Sequence, residues 1–343
     1  ASLALGATGS VATAYLPIKP LDTRPYSLSV SGSLALTDNA QLVAGGVNAT
    51  SRVDLVVGGN LTLWNGSSLR VAAGFAGPST SSDTFVVGGA GVVVGGSTLV
   101  GTNCWVYPSC HQASGAPVVF DLQNLFVMTN SGFNANYHGF GRVGESYYGP
   151  GYTAAYVNGA SYGGKGGGDY AAGIYGYTNA PFYPGSPASE PSTTQYYAWG
   201  GGAIRINARR LVLEGTLTAN GNKGRSQAGG NSGGGIWLTC TSFSTGAGAL
   251  LSAVGGAGVD GWGANGGGGG RIAVAVRLTE RQIAALYNGG ESLGMDILNF
   301  ADTPYASNYT VAGGTASQGL AGAVGSAVLI TGTFNPGTVV IIH

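Results

Sequence analysis

Residues 266–276 read GGGGGRIAVAV: five consecutive glycines, then Arg271, then the alternation Ile272, Ala273, Val274, Ala275, Val276. Glycine loses more backbone entropy on ordering than any other residue, so five of them ahead of a strong strand former need a reason. The stretch is not isolated. GGGAIRINARRLVLEGTLTANG (200–221) and GGGIWLTCTSFSTGAGALLSAVGG (233–256) repeat its order of glycines, then a strand, and Ile204, Ile236 and Ile272 stand 32 and 36 residues apart.

The first half carries a looser version. SLALTDNAQL (33–42), NLTLWNGSSL (60–69), AGVVVGGSTL (90–99) and NLFVMTNSGF (124–133) align at offsets of 27, 30 and 34 residues, and each follows a second short strand: LSV (28–30), LVV (55–57), FVV (85–87) and VVF (118–120). Short alternating strands recurring at this interval fit one coil of a β-solenoid better than the tight hairpin spacing of a sandwich. One coil cannot bury its own apolar edge; stacked coils about 4.8 Å apart form a continuous core and pair their backbones. The glycines are then expected at stacked corners, where positive φ and close backbone approach exclude a Cβ.

The expected fold is therefore all-β, a right-handed parallel β-helix with one short helix and a long Tyr/Gly-rich insertion. Residues 1–25 form an N-terminal extension with strands suited to exchange between chains, 26–133 irregular coils, 134–199 an insertion projecting from them, 200–330 regular Gly-rich coils and 331–343 a C-terminal strand. In LTERQIAAL (278–286) Thr279 and Gln282 have capping-box spacing, and Leu278 and Ile283 that of a hydrophobic staple, which predicts a helix near 279–286 covering a flank or end.

GASYGGKGGG (159–168), YGYTNAPFYPGSP (175–187), the two Gly-led repeats above, LLSAVGG (250–256), GGGGGRIAV (266–274) and a closing GAVGSAVLI (322–330) resemble, in order and spacing, a glycine-rich right-handed β-helix module of secreted cell-surface and matrix proteins. The chain departs from that pattern in having SYGG before Lys165 where a His commonly stands, and in the glycine-free SPASEPSTT (186–194). The resemblance implies secretion and a surface or matrix location, and carries no agreed catalytic site.

Composition narrows the chemistry. Of 343 residues 65 are Gly, and 14 Lys+Arg balance 14 Asp+Glu. Without a basic patch there is no signature of nucleic acid, and without a run of 18 apolar residues none of a membrane-spanning helix. A chain beginning at Ala1 suggests a removed signal peptide. Sequons at Asn48, Asn60, Asn65 and Asn308 are glycosylation candidates, although a Gly/Ser/Thr/Asn-rich chain also produces them by chance. Cys104 and Cys110 in CWVYPSC are read as a disulfide closed by the Pro-containing loop, with two free thiols as the alternative; Cys240 is read as a small core residue.

No cofactor and no metal site is expected. Carboxylates are few, and Asp121, Asp169 and Glu145 near Arg142 read as turns, caps and solvated pairs before they read as a catalytic set; His138 has no identifiable partner. GGKGGG (163–168) lacks the Ser/Thr after lysine that a phosphate loop needs, and Arg205, Arg209, Arg210 and Arg225 should be split between faces. Twelve of 18 tyrosines fall in the insertion, and Tyr147, Tyr148, Tyr196 and Tyr197 are candidates for a protein interface or for stacking on sugar.

The leading expectation is a secreted structural subunit, not an enzyme, that polymerises with copies of itself through open solenoid ends. The candidate assembly strands contain Leu3 and Leu5 at one terminus and Val339, Val340, Ile341 and Ile342 at the other. A polysaccharide-binding module is the second reading, and a polysaccharide lyase or hydrolase the third.

Overall fold

Period-2 alternation becomes strand after strand in the computed structural model, which describes residues 3–6, 13–16, 26–45, 50–75, 88–155, 157–189, 198–225, 227–259, 263–287, 294–316 and 318–332. The first sheet runs in the order β1 (Leu3–Gly6), β4 (Leu34–Thr37), β7 (Leu61–Leu63), β9 (Ala90–Val100), β11 (Val118–Val127), β15 (Ala203–Leu213), β17 (Gly235–Thr245), β19 (Arg271–Val276), β22 (Ser326–Gly332) and β20 (Met295–Asn299). β3 (Tyr26–Val30) and β6 (Val53–Val57) lie alongside, β6 pairing with the first half of β9 and β7 with its second half. The second sheet orders β2 (Thr13–Leu16), β5 (Gln41–Ala44), β8 (Ser68–Ala72), β10 (Trp105–Ser109), β12 (Gly132–Asn134), β16 (Thr216–Thr218), β18 (Leu250–Ser252) and β21 (Tyr309–Thr310). β13 (Arg142–Val143) and β14 (Ser146–Tyr147) form a small antiparallel ladder.

From β4 to β19 the chain passes back and forth between the two sheets, with β6 and β7 consecutive in the first and β13 and β14 in neither, and both sheets are built of parallel ladders, with β20 on β22 the antiparallel exception among the described residues. Register stacks like on like. Leu55, Val92, Phe120, Ile206, Leu238, Val274 and Leu329 form one buried column, and Leu42, Leu69, Val106, Phe133, Leu217 and Leu251 another facing it from the second sheet. Burying each such side chain contributes about 1.5–3 kcal/mol.

The long strands bend. In β15, Ile204, Ile206 and Ala208 are buried, Arg209 and Arg210 are both exposed, and burial resumes at Leu211 and Leu213. Gln123, Arg209 and Thr241 drop out of the ladders at the same level, so a one-residue slip in phase keeps both halves facing one interior.

Positive φ accounts for only part of the glycine, at positions between strands such as Gly45, Gly66 and Gly88. The side-chain-bearing left-handed residues after β4, β7, β9 and β11 are Asp38, Asn39, Asn65 (followed by left-handed Gly66), Asn103 and Asn130, and they stack: the Asn39 N–H donates to Asn65 O (2.8 Å) and the Asn103 N–H to Asn130 O (3.2 Å). Asn and Asp are the side-chain-bearing residues that tolerate this region best. None of Gly266–Gly270 has positive φ. Their amides instead point in rotation to three neighbouring segments. Asn265 and Gly268 donate to Val157 and Ala160, Gly266 and Gly269 to Leu320 and Ala323, Gly267 and Gly270 to Gly256 and Ala253, all at 2.7–2.9 Å.

Their carbonyls accept from further segments: Gly266 and Gly269 from Gly167 and Gly164, Asn265 and Gly268 from Gly230 and Gly233, Gly267 from Gly314. A three-residue rotation is that of the polyproline-II helix, and here it lies at the centre of a bundle of such helices. A Cβ on any of the five glycines would collide with backbone oxygen of another segment: Gly314, Asn231, Gly164, Val311 and Gly234 in turn. These five glycines are required by the closeness of neighbouring segments of the chain, not by unusual dihedrals.

The insertion does not project, as its composition led us to expect. Two of the segments around Gly266–Gly270 come from it, 157–160 and 164–167, and Tyr162, Phe182 and Ser186 are fully buried. The helix is α1 (Glu280–Tyr287), with the Thr279 N–H donating to Gln282 Oε1 (2.9 Å) and the Gln282 N–H to Thr279 Oγ1 (3.3 Å). It lies on the outer face of the first sheet, where Trp237, Ala273, Ala275 and Ile330 pack with Phe182 and Leu286. The Tyr287 hydroxyl accepts from Arg205 Nη2 (2.7 Å) and Trp237 Nε1 (3.3 Å). Both faces of β17 are thereby buried, as parallel sheets require.

Candidate functional site

The two ends of the sheets differ. At the N-terminal end β1, β2 and β3 each have, among the described residues, a single ladder partner, β4, β5 and β6. Leu3 and Leu5 stand level with the fully buried Leu34 and Leu36. At the opposite end β20 covers β22 in antiparallel register, and Phe300, fully buried, makes ring contacts with Tyr305 (5.9 Å) and Tyr309 (5.2 Å) while Tyr305 packs on Phe243 (5.0 Å). The expectation of two open ends is corrected at this one: the described residues cap much of it, because an antiparallel strand satisfies the edge amides of β22. Val339, Val340, Ile341 and Ile342 lie outside the described residues.

The tyrosines divide. Tyr147 and Tyr152 stack at 4.9 Å and 11°, with the Arg142 guanidinium 5.3 Å from the Tyr147 ring, and Tyr148 is half-buried beside them. Tyr196 and Tyr197 lie outside the described residues. Tyr175 donates to Pro184 O (2.6 Å), and burial pushes its phenol well above the usual range; Tyr162 is raised for the same reason. These two are packing residues. A cleft of about 290 Å³ lies between Pro150, Tyr175, Tyr177 and Tyr183.

Cys104 and Cys110 are free thiols, which overturns the expected disulfide. Pro108 is inside β10 rather than in a loop, and an extended strand separates the two Cα atoms by about 20 Å against the 7 Å limit for a bridge. The Cys110 Sγ accepts from the Ala203 N–H (3.2 Å), and burial pushes its thiol up to about 12, as it does for Cys240. Native protein should therefore resist iodoacetamide, and denatured, unreduced protein should take up three equivalents; one equivalent would restore the disulfide.

Of the sequons, Asn60 and Asn65 are exposed, Asn48 is outside the described residues, and Asn308 is buried. The Asn308 Nδ2, the atom a glycan would occupy, donates to Ala249 O (2.9 Å), so Asn308 is withdrawn as a candidate.

Asp121 Oδ1 accepts from Asn207 Nδ2 (2.6 Å), and Asn207 Oδ1 from Thr239 Oγ1 (2.7 Å), forming a polar ladder along the outer face of the first sheet. With Arg209, Val93, Leu278 and Ile283 it lines a trough of about 390 Å³. No motif marks this trough in the sequence, since these residues come from four strands, whose register sets the spacing, and from the helix and its approach. Among the described residues no three His, Cys, Asp or Glu side chains group as metal ligands, and no helix is long and apolar enough to cross a membrane.

His111 Nδ1 accepts from the Ser114 N–H (3.1 Å), and desolvation lowers its imidazole to about 4; His138 falls to about 4 by burial and the nearby Arg70 charge. Both are held neutral. The unfolded chain binds these protons below about pH 6.5, the folded chain only near 4, so stability is complete above that range and falls as pH drops through it. The melting temperature should decline between pH 7 and 4.5, and less so in His111→Gln; a flat profile would contradict the burial of both rings.

Comparison with protein-family models, curated proteins and solved structures found no match to this chain.

Proposed function

We propose that this chain is a secreted structural subunit, a right-handed parallel β-helix that assembles with copies of itself into an extracellular filament, sheath or appendage. The observation that carries the reading is the N-terminal end, where β1, β2 and β3 leave the edges of both sheets with one ladder partner each among the described residues. Alternating visits to two parallel sheets, with like residues stacked in register, support the β-helix. Balanced charge of 14 against 14 supports self-association, since no net repulsion opposes it.

Head-to-tail addition is heterologous and does not close, so the product is open-ended. Electron microscopy and sedimentation of the intact chain at neutral pH should show uniform fibres. Removing residues 1–20, which takes away β1 and β2, should leave folded monomer; fibres from that truncation would sink the reading.

The stacked Tyr147–Tyr152 pair favours a second reading, binding of a polysaccharide at the cell surface or in the matrix. Monomer that binds sugar and loses that binding in Tyr147→Ala would move the weight there.

A further inference from the structure

The glycine bundle ends in a layer whose outward amides have no acceptor among the described residues. Three successive layers precede β17, β19 and β22, and ladder register sets Gly235, Arg271 and Ser326 level with one another. Counting back two and five places puts Gly233, Gly269 and Val324 on one level, and Gly230, Gly266 and Ala321 on another. Gly230 and Gly233 donate forward to Asn265 O and Gly268 O of the next layer; Gly266 and Gly269 donate forward to Leu320 O and Ala323 O of the one after. Ala321 and Val324 are the next donors in this series. Neither has a backbone or side-chain acceptor among the described residues, and both are exposed, Val324 at 67%.

The other amides from Leu320 to Gly325 are satisfied. Gly322 and Gly325 donate to Gly314 O and Val311 O, Ala323 to Lys165 O, and Leu320 to Asn265 Oδ1 (2.6 Å). Gly319, Gly322 and Gly325 recur every third residue and turn inward, where a Cβ would meet Gly263 O, Gly267 O and Gly270 O. This leaves Leu320 (61% exposed), Ala321, Ala323 and Val324 as an apolar outer stripe in a stretch, 311–332, without one charged residue.

We propose that this edge is a docking site for an uncharged glycine-rich segment of another polypeptide, held in the three-residue left-handed conformation. Each of the two preceding donor rows is filled by carbonyls of such a segment, three residues apart, and the last row repeats their spacing. The outward row described here consists of donors, so two such rows cannot satisfy each other face to face; the occupant must bring carbonyls. It must also lack side chains on the contacting side, for the reason that glycine fills the inner layers.

Proline replaces the free amides without disturbing the layer, because its φ near −65° suits this helix and the N–H it removes has no internal partner. Ala321→Pro with Val324→Pro should therefore melt within a few degrees of the parent. A blocked peptide of residues 264–270 (ANGGGGG) titrated into the intact 15N-labelled protein should shift the Ala321 and Val324 amides saturably and slow their hydrogen exchange at least tenfold, and the proline pair should abolish the binding. Val324→Asp, which keeps the amide but places a charge in the stripe, should weaken it at least tenfold and serves if the proline pair misfolds. Unmoved amides at saturating peptide, or undiminished binding by the proline pair, would overturn the proposal. So would protection that rises with protein concentration and no peptide, which would put a second copy in the slot.

Discussion

Gly268→Ala is expected to cost this protein about 3–5 kcal/mol, a large part of the 5–15 kcal/mol that holds a typical domain folded. The added methyl would collide with the Gly164 carbonyl, which belongs to the backbone and has no rotamer to escape into. Making room separates two layers, and the bonds at risk are Gly268 N–H to Ala160 O, Gly233 N–H to Gly268 O and Gly164 N–H to Gly269 O. Each contributes about 0.5–1.5 kcal/mol net, and overpacking adds about 1–3 kcal/mol. Gly173→Ala is the control: nothing lies within 4 Å of the added Cβ and its φ is not positive, so a change between zero and about 1 kcal/mol of stabilisation is expected. Denaturant titration of the two variants decides. Equal midpoints would mean that the glycine layers are not close-packed.

Trp237→Ala should cost a further comparable amount, about 3–5 kcal/mol, through a different mechanism. Trp237 is wholly buried on the outer face of the first sheet, against Phe182 from the insertion and Leu286 of α1, and its indole donates to Tyr287. Truncation leaves a cavity under the two elements that cover the sheet while the inner columns stay filled. Limited proteolysis should then open 278–287 before the strands, whereas Ile206→Ala, in the inner column, should lower the global midpoint without selective cleavage. Cleavage in α1 unchanged from the parent would show that Trp237 does not hold the helix in place.

Much of the fold was legible because it is periodic. Ile204, Ile236 and Ile272, equivalent positions of the sequence repeat, are ladder neighbours in β15, β17 and β19, and the Thr279/Gln282 capping box forms. Local rules suffice there: alternation sets which side chains share a face, and a capping box closes within one turn. The disulfide failed for a local reason that pattern reading missed, since Pro108 is tolerated inside β10 where β8 continues to pair and the ladder to β12 has ended at Val106.

By itself the sequence determined that the chain is β-rich, that its apolar residues recur at regular intervals, and that glycine matters most just before the strands. Tertiary structure alone decided what the glycines do, because a collision between Gly268 and Gly164, more than a hundred residues apart, has no trace in either neighbourhood. It likewise decided that the tyrosine-rich segment is largely a packing element, that Asn308 is buried, that one end of the first sheet is capped, and that Ala321 and Val324 are left without acceptors among the described residues. Each of these depends on which distant backbone arrives alongside, a property of register between layers, and register is set by the stacked core as a whole.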